Sequence, residues 1–231
     1  MPIDWTAYSR SQLRKASIAR FQQGGGSSPE VLLIEINGEQ AVLKDQNNTA
    51  KIFAALLGAV LTRREVRALR QLASLESAPK LLSCPDSRSF LMSYQTSLPI
   101  TEVDCSQIHW PDFLRQLSHA IDAMHAQGIT HNDLRNAENI LVMPNGKPLL
   151  IDFAGCFWRG CRYNLVRRWV FNKLKQVDRS AITKLKLRHA PELLLESDIH
   201  NHEIAGKWLT RLTHGIRRIC KTISTLGRRK I

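Results

Sequence analysis

Between Thr130 and Gly155 the chain reads THNDLRNAENILVMPNGKPLLIDFAG, and no other stretch restricts its folding as strongly. Two short apolar runs, NILVM and PLLIDF, flank the turn sequence PNGK, the pattern of a β-hairpin. A polar loop feeds the first run, and the second ends at Asp152. Asp133, Asn139 and Asp152 are thereby brought to neighbouring strand ends, where carboxylates and an amide carbonyl can converge. Hard divalent cations take such ligands: Mg2+ binds a few protein oxygens plus substrate phosphates. A further carboxylate nearby can orient or deprotonate an attacking hydroxyl.

The segments before this hairpin predict a small mixed lobe. A glycine turn, QQGGGSSP at Gln22 to Pro29, separates two candidate strands. EVLLIEI, the hairpin dipeptide Asn37-Gly38 and EQAVLK then predict strand, tight turn and strand. From about Thr49 to Glu76, Leu61, Val66, Leu69, Leu72 and Leu75 recur at helical spacing between arginines, and Pro79 closes the segment. KLLSC and SFLMSY, joined by PDSR, complete about five strands around one helix. WPDFLRQLSHAIDAMHAQG predicts the clearest helix, started at Pro111 and Asp112 and stopped at Gly128. After the hairpin the remainder is helical and basic.

Composition narrows the function classes. The net charge of +13 is concentrated at one end: residues 1–150 hold 15 Lys and Arg against 14 Asp and Glu, whereas residues 151–231 hold 18 against 6. A one-sided basic surface suits nucleic acid, an anionic membrane or a phosphorylated substrate. Five scattered cysteines, at 84, 105, 156, 161 and 220, show no zinc spacing and imply a reducing, cytosolic compartment. Cys156 and Cys161 read as buried thiols. The start, MPIDWTAYSRSQLRK, has no secretory h-region. The longest apolar run, Ile52 to Leu61, is far short of the roughly 20 residues of a membrane span and predicts a buried helix.

HNDLRNAENILV followed by LLIDFAG resembles the catalytic loop and metal-binding segment of the protein-kinase-like superfamily, nearest to its small bacterial RIO-type and lipopolysaccharide (Kdo/WaaP-type) kinases. AVLK resembles the strand that bears the phosphate-pairing lysine, and RREVRALRQL the helix whose glutamate pairs with it. The resemblance spans about residues 17–155. It implies an α+β, minimal bilobal kinase-like fold, with an amino-terminal lobe over 1–95 and a carboxyl-terminal lobe over 96–231. It also implies ATP and Mg2+ as cofactors. Lys44 would hold the α and β phosphates, Glu65 would hold Lys44, and Asp133 would be the catalytic aspartate. Asn139 and Asp152 would bind magnesium, while His131 braces the loop. Gly24, Gly25 and Gly26 would cover phosphates with backbone N–H groups, although GGGSS lacks the spacing of G-x-G-x-x-G.

Three departures carry consequences. Asp133 and Asn139 are six residues apart where the family has five, so Asn136 or Glu138 could share the metal role. Asn132 replaces the arginine that docks a phosphorylated activation loop, and the metal segment reads Asp152-Phe153-Ala154-Gly155, which keeps the metal ligand but not the small hinge residue. The expected function is phosphoryl transfer to a hydroxyl, on a lipopolysaccharide-type saccharide or lipid at the inner face of the inner membrane. The alternatives are a RIO-type protein serine/threonine kinase and a pseudokinase. Nucleic-acid binding ranks last, because no recognised module accompanies the basic, aromatic-interleaved WRGCRYNLVRRWVFNKLK. The tail, with Ile216, Ile219, Ile223 and Leu226 at helical spacing among Arg217, Arg218, Lys221, Arg228, Arg229 and Lys230, predicts an interfacial helix on anionic lipid.

Overall fold

The computed structural model describes residues 3–25, 28–46, 52–196 and 198. A 3-10 turn, Trp5–Ala7, and the short helix α1, Arg10–Lys15, precede five antiparallel strands. These are β1 (Ser17–Gln22), β2 (Glu30–Ile36), β3 (Glu39–Asp45), β4 (Leu81–Asp86) and β5 (Ser89–Ser93). In space they run β1-β2-β3-β5-β4, with helix α2, Ile52–Gln71, inserted in the chain between β3 and β4. Asn37 and Gly38, at φ 48° and 80°, make the tight β2–β3 turn, which needs positive φ at both central residues.

Alternation along β3 decides what each face meets. Ala41 and Leu43 enter a cluster with Trp5, Leu13, Leu32, Ile34 and Leu91. Val42 instead joins Val66, Leu69, Leu72 and Phe90 in the larger core, and Lys44 shares the face of Val42. The sheet is therefore covered on both sides, by α2 on one and by the amino-terminal segment on the other. That second cover is absent from the sequence reading, although Ser9 and Gln12 form a capping box that starts α1. Arg10 and Arg14 of α1 ion-pair with Asp45, and Arg14 also with Glu30, both carboxylates being buried.

Two expectations for α2 change. The helix ends at Gln71, not near Glu76; in the turn beyond it the Lys80 ammonium donates to the carbonyls of Ala73 and Leu75. Val60, in the run predicted to be buried, is 51% exposed. The carboxyl-terminal half begins with the short strand β6 (Leu98–Pro99) and helix α3 (Trp110–Ala126), which buries Phe113, Leu114, Leu117, Ile121 and Met124 and stops at Gly128, φ 78°. Strand β7 (Ile129–Thr130) leads into the polar loop. The predicted hairpin forms as β8 (Ile140–Val142) and β9 (Pro148–Leu150), with β6 alongside. Strand β10 (Phe157–Trp158) pairs with β7, and the 25-residue helix α4 (Leu165–His189) packs behind both.

Cys156 is buried as expected, and burial pushes its thiol up to about 12, but Cys161 is exposed. The basic tail with Ile216, Ile219, Ile223 and Leu226 lies outside the described residues, as does Gly26. No described helix is long and apolar enough to cross a membrane.

Because Leu13 is fully buried under the sheet, Leu13→Ala should cost about 2–5 kcal/mol in urea unfolding. An unchanged midpoint would show that the amino-terminal segment does not stabilise the sheet.

Candidate active site

The β1–β2, β2–β3 and β3–β5 ladders align Gln22, Val31, Lys44 and Phe90 in one row across the sheet, so Lys44 leaves β3 on the face toward α2. There its ammonium meets both oxygens of Glu65, at 3.0 and 2.8 Å, and Oδ1 of Asp152 at 2.7 Å. Burial alone would depress the lysine's pKa. The two carboxylates outweigh that, and the pKa ends above its ordinary value. Lys44 is thus a fixed cation. Asp152 is 43% exposed at its side chain and opens toward solvent, while Lys44 and Glu65 are enclosed. Burial tends to raise the Asp152 pKa, but Lys44 prevails and lowers it, so the carboxylate is charged at neutral pH.

The sequence pattern carries the second strand through Asp152, but β9 ends at Leu150. Asp152 sits in the left-handed region, φ 64° and ψ 69°, and starts a 3-10 turn, Phe153–Gly155. A non-glycine residue there costs on the order of 1 kcal/mol or more and persists where surrounding contacts over-determine it. Those contacts are present. Glu65 accepts the Phe153 N–H, Arg64 donates to the carbonyls of Ala154 and Cys156, and Asn132 donates to Gly155 O at 2.9 Å. Arg64 and Arg67 of α2 also stack on Trp158, at 5.2 and 4.8 Å from the ring centre.

The loop between β7 and β8 holds the remaining groups. Asn139 donates through Nδ2 to the backbone and to Oδ2 of Asp133, at 3.0 and 2.9 Å, and its own carbonyl accepts the Ile151 N–H. Asp133, Asn139 and Asp152 are therefore linked through neighbouring strand ends. No described donor reaches Oδ1 of Asn139 or Oδ1 of Asp133, which leaves one oxygen of each available. The extra residue between them is taken up by a 3-10 turn, Ala137–Asn139, and Asn136 spends its side-chain oxygen capping that turn. Of the three candidates for this metal ligand, only Asn139 bonds the Asp133 carboxylate through its side chain; Asn136 and Glu138 are exposed.

His131, fully buried, donates from Nε2 to Ile151 O at 2.8 Å and accepts the Asp133 N–H at Nδ1. Burial pushes its pKa down, which keeps it neutral in that bridge. Asn132, at φ 72°, gives the loop a left-handed residue that asparagine tolerates better than arginine.

The sequence reading missed what anchors this loop. Asp178 of α4, with no exposure, accepts the His131 N–H at 2.8 Å, the Asn132 N–H at 2.7 Å and a hydrogen bond from His125 Nε2 at 2.9 Å. Its signal was present: Asp178 is the sole acid between Asp152 and Glu192 in an otherwise basic stretch, on the apolar face of its helix. Arg64 was also overlooked.

The glycine turn takes a different form from the one expected. Gly25 and Ser28 exchange both backbone hydrogen bonds, so neither N–H is free for phosphate. Gly24 packs closely on Glu30: a Cβ there would lie 3.0 Å from its Cβ and backbone nitrogen, a contact that closes only if Glu30 shifts.

Among the described residues there is no cluster of three His, Cys, Asp or Glu able to cage a metal. One carboxylate and one amide oxygen match a cation that retains water and substrate-phosphate ligands, as Mg2+ does.

Comparison with known proteins places this geometry. Residues 46–201 match the model of the lipopolysaccharide kinase (Kdo/WaaP) family. Among curated proteins no sequence matches the chain. Two crystal structures of the Rio2 kinase from Chaetomium thermophilum share the fold. One aligns over 83% of this chain at 16% identity with a TM-score of 0.59. The other, an ADP/Mg2+-phosphoaspartate complex, aligns over 84% at 18% identity with a TM-score of 0.58. The alignments cover 64% and 63% of those chains, so this chain spans a little under two thirds of their length.

Asp178→Ala would leave two backbone N–H groups and His125 unpaired in the core, at an expected cost of about 3–5 kcal/mol. Hydrogen exchange should localise the loss to residues 129–139. Unaltered protection of His131 and Asn132 would remove Asp178 as the anchor.

Proposed function

The chain belongs to the lipopolysaccharide kinase (Kdo/WaaP) family, and on that basis we propose that it transfers a phosphoryl group from ATP, with Mg2+, to a hydroxyl of an anionic saccharide or lipid. The observation that carries this reading is the grip of Lys44 on Glu65 and Asp152 together, beside the Asp133–Asn139 pair. A nucleotide's phosphates need fixed positive charge, and the held Lys44 ammonium supplies it. Asp152 and Asn139 would hold Mg2+, which when bound offsets phosphate charge and orients the transferred group. Asp133, exposed and with Oδ1 available, orients the acceptor hydroxyl and takes its proton as the new P–O bond forms. Glu65 fixes Lys44, and Arg64 fixes the segment that carries Asp152. Gly24 shapes the turn at the Lys44 end of the sheet; direct phosphate contact from this turn falls to groups other than the Gly25 N–H.

The family name and the basic carboxyl-terminal third support an acceptor of lipopolysaccharide type, met at the inner face of the inner membrane. A RIO-type protein kinase is the second reading, favoured by the fold likeness to Rio2 kinase alone. ATP turnover measured with Mg2+, first without acceptor and then with lipid, saccharide and protein acceptors, separates the two; no turnover with any of them would identify a pseudokinase.

Two variants test the roles. Asp152→Asn should weaken Mg2+-dependent nucleotide binding, since an amide removes the charge that offsets the metal, and full activity with unchanged Mg2+ dependence would exclude Asp152 as a ligand. Asp133→Ala should bind Mg2+ and ATP nearly normally while turnover falls by about 10²–10⁴-fold. Persistent turnover would displace the catalytic aspartate to another residue.

A further inference from the structure

Beside the segment that follows Asp152 lies a surface with no part in the chemistry above. From Phe153 to Val177 the chain has six Lys and Arg and no Asp or Glu. Where this stretch enters α4, Tyr163, Leu165, Val166 and Trp169 are 74, 73, 74 and 57% exposed. Four large side chains so close together in water are costly unless something covers them.

The cations around them are held in place without being neutralised. Arg162 lies over the Tyr163 ring at 4.7 Å, and Arg168 donates to the Arg162 carbonyl at 3.2 Å. Arg167 donates to Trp158 O at 2.8 Å and stacks on Phe157, and Arg159 lies over Phe171. Among the described residues none of these four guanidinium groups forms an ion pair. Carbonyls and ring faces orient them and leave their charge uncompensated.

Next to the apolar ledge a cleft of about 320 Å³ opens between the end of α3 and α4. Arg159, Arg168, Lys175 and Arg179 line it, with Asp122 as its one acid, already bound to Arg179 at 2.8 Å. Arg168, Lys175 and Arg179 recur at helical spacing and form one stripe; Leu165 and Trp169 occupy the adjacent stripe of the same turns. His125 also lines the cleft, buried, with its Nδ1 unpartnered among the described residues. A ligand that suits both stripes is anionic at one end and apolar at the other.

We propose that this face of α4, with residues 159–163, docks on an anionic phospholipid surface: Tyr163, Leu165, Val166 and Trp169 enter the acyl boundary, and a headgroup phosphate occupies the Arg159–Arg168–Lys175 cleft. No covalent step is involved. The arrangement is that of an interfacial helix, apolar on one stripe and basic on the next. It gives the membrane location proposed above a defined surface within the folded core, separate from the tail. Vesicle binding needs no turnover, so its failure leaves the phosphotransferase reading intact.

The test uses the full chain and vesicles of phosphatidylcholine with phosphatidylglycerol. Arg168→Gln combined with Lys175→Gln removes two surface cations, each contributing about one kcal/mol near an anionic leaflet, and should weaken binding about 30-fold at low salt while nucleotide binding is retained. Acyl chains brominated near the interface should quench tryptophan fluorescence in the wild type and distinctly less in Trp169→Phe, a variant that preserves the apolar ledge and decides the question even if the charge variant misfolds. Equal quenching in both proteins, or undiminished binding of the charge variant, overturns the proposal. Release by excess soluble glycerol phosphate with no quenching at Trp169 likewise overturns it, in favour of a free-phosphate site.

Discussion

One buried carboxylate holds the loop between β7 and β8 in shape. Asp178 is removed from water on α4, and a charge so placed is tolerated only when donors surround it. Its donors are the backbone N–H groups of His131 and Asn132 and the ring of His125. Neither N–H belongs to a helix or a strand ladder, so the loop could not satisfy them alone. The long helix thereby fixes the loop on which Asp133 is exposed. Lys184, a turn and a half further along α4, takes the carbonyl of Arg135 and adds a second hold.

The same logic governs the segment of Asp152. Its left-handed backbone is maintained from three directions: Lys44 on the sheet, Arg64 and Glu65 on α2, and Asn132 on the loop. The arginine that docks an activation-loop phosphate in the resembled kinases is absent here. Asn132 occupies its position and ties the loop directly to Gly155. Arg64 and Arg67, clasping Trp158 of β10, tie α2 to the carboxyl-terminal half, and Glu65 of the same helix holds Lys44. The geometry is that of a site whose assembly is built into the fold.

Charge is divided as the chemistry requires. The cations on the two faces of the five-stranded sheet are paired with carboxylates, as Lys44, Arg10 and Arg14 are. Those of α4's first turns are held by carbonyls and rings and keep their field for an external anion. Net charge alone cannot distinguish these cases; the partner atoms do.

Much of this was legible in the residue order. The β2–β3 turn at Asn37-Gly38, the helix from Trp110 and the hairpin at 140–150 follow from local pattern, because turn chemistry and periodicity act over a few residues, whereas the ordered set Lys44, Glu65, Asp133, Asn139 and Asp152 came from the resemblance to the kinase-like superfamily. Three features required the tertiary structure. The amino-terminal cover of the sheet depends on Leu13 meeting Leu32 and Leu91, and the closing of Gly25 on Ser28 depends on how β1 and β2 register. The anchoring role of Asp178 depends on two N–H groups 46 and 47 residues away. Short-range spacing set the turns, strands and helices, but a buried charge takes its meaning from the donors that the folded chain places around it, and those come from elsewhere in the sequence.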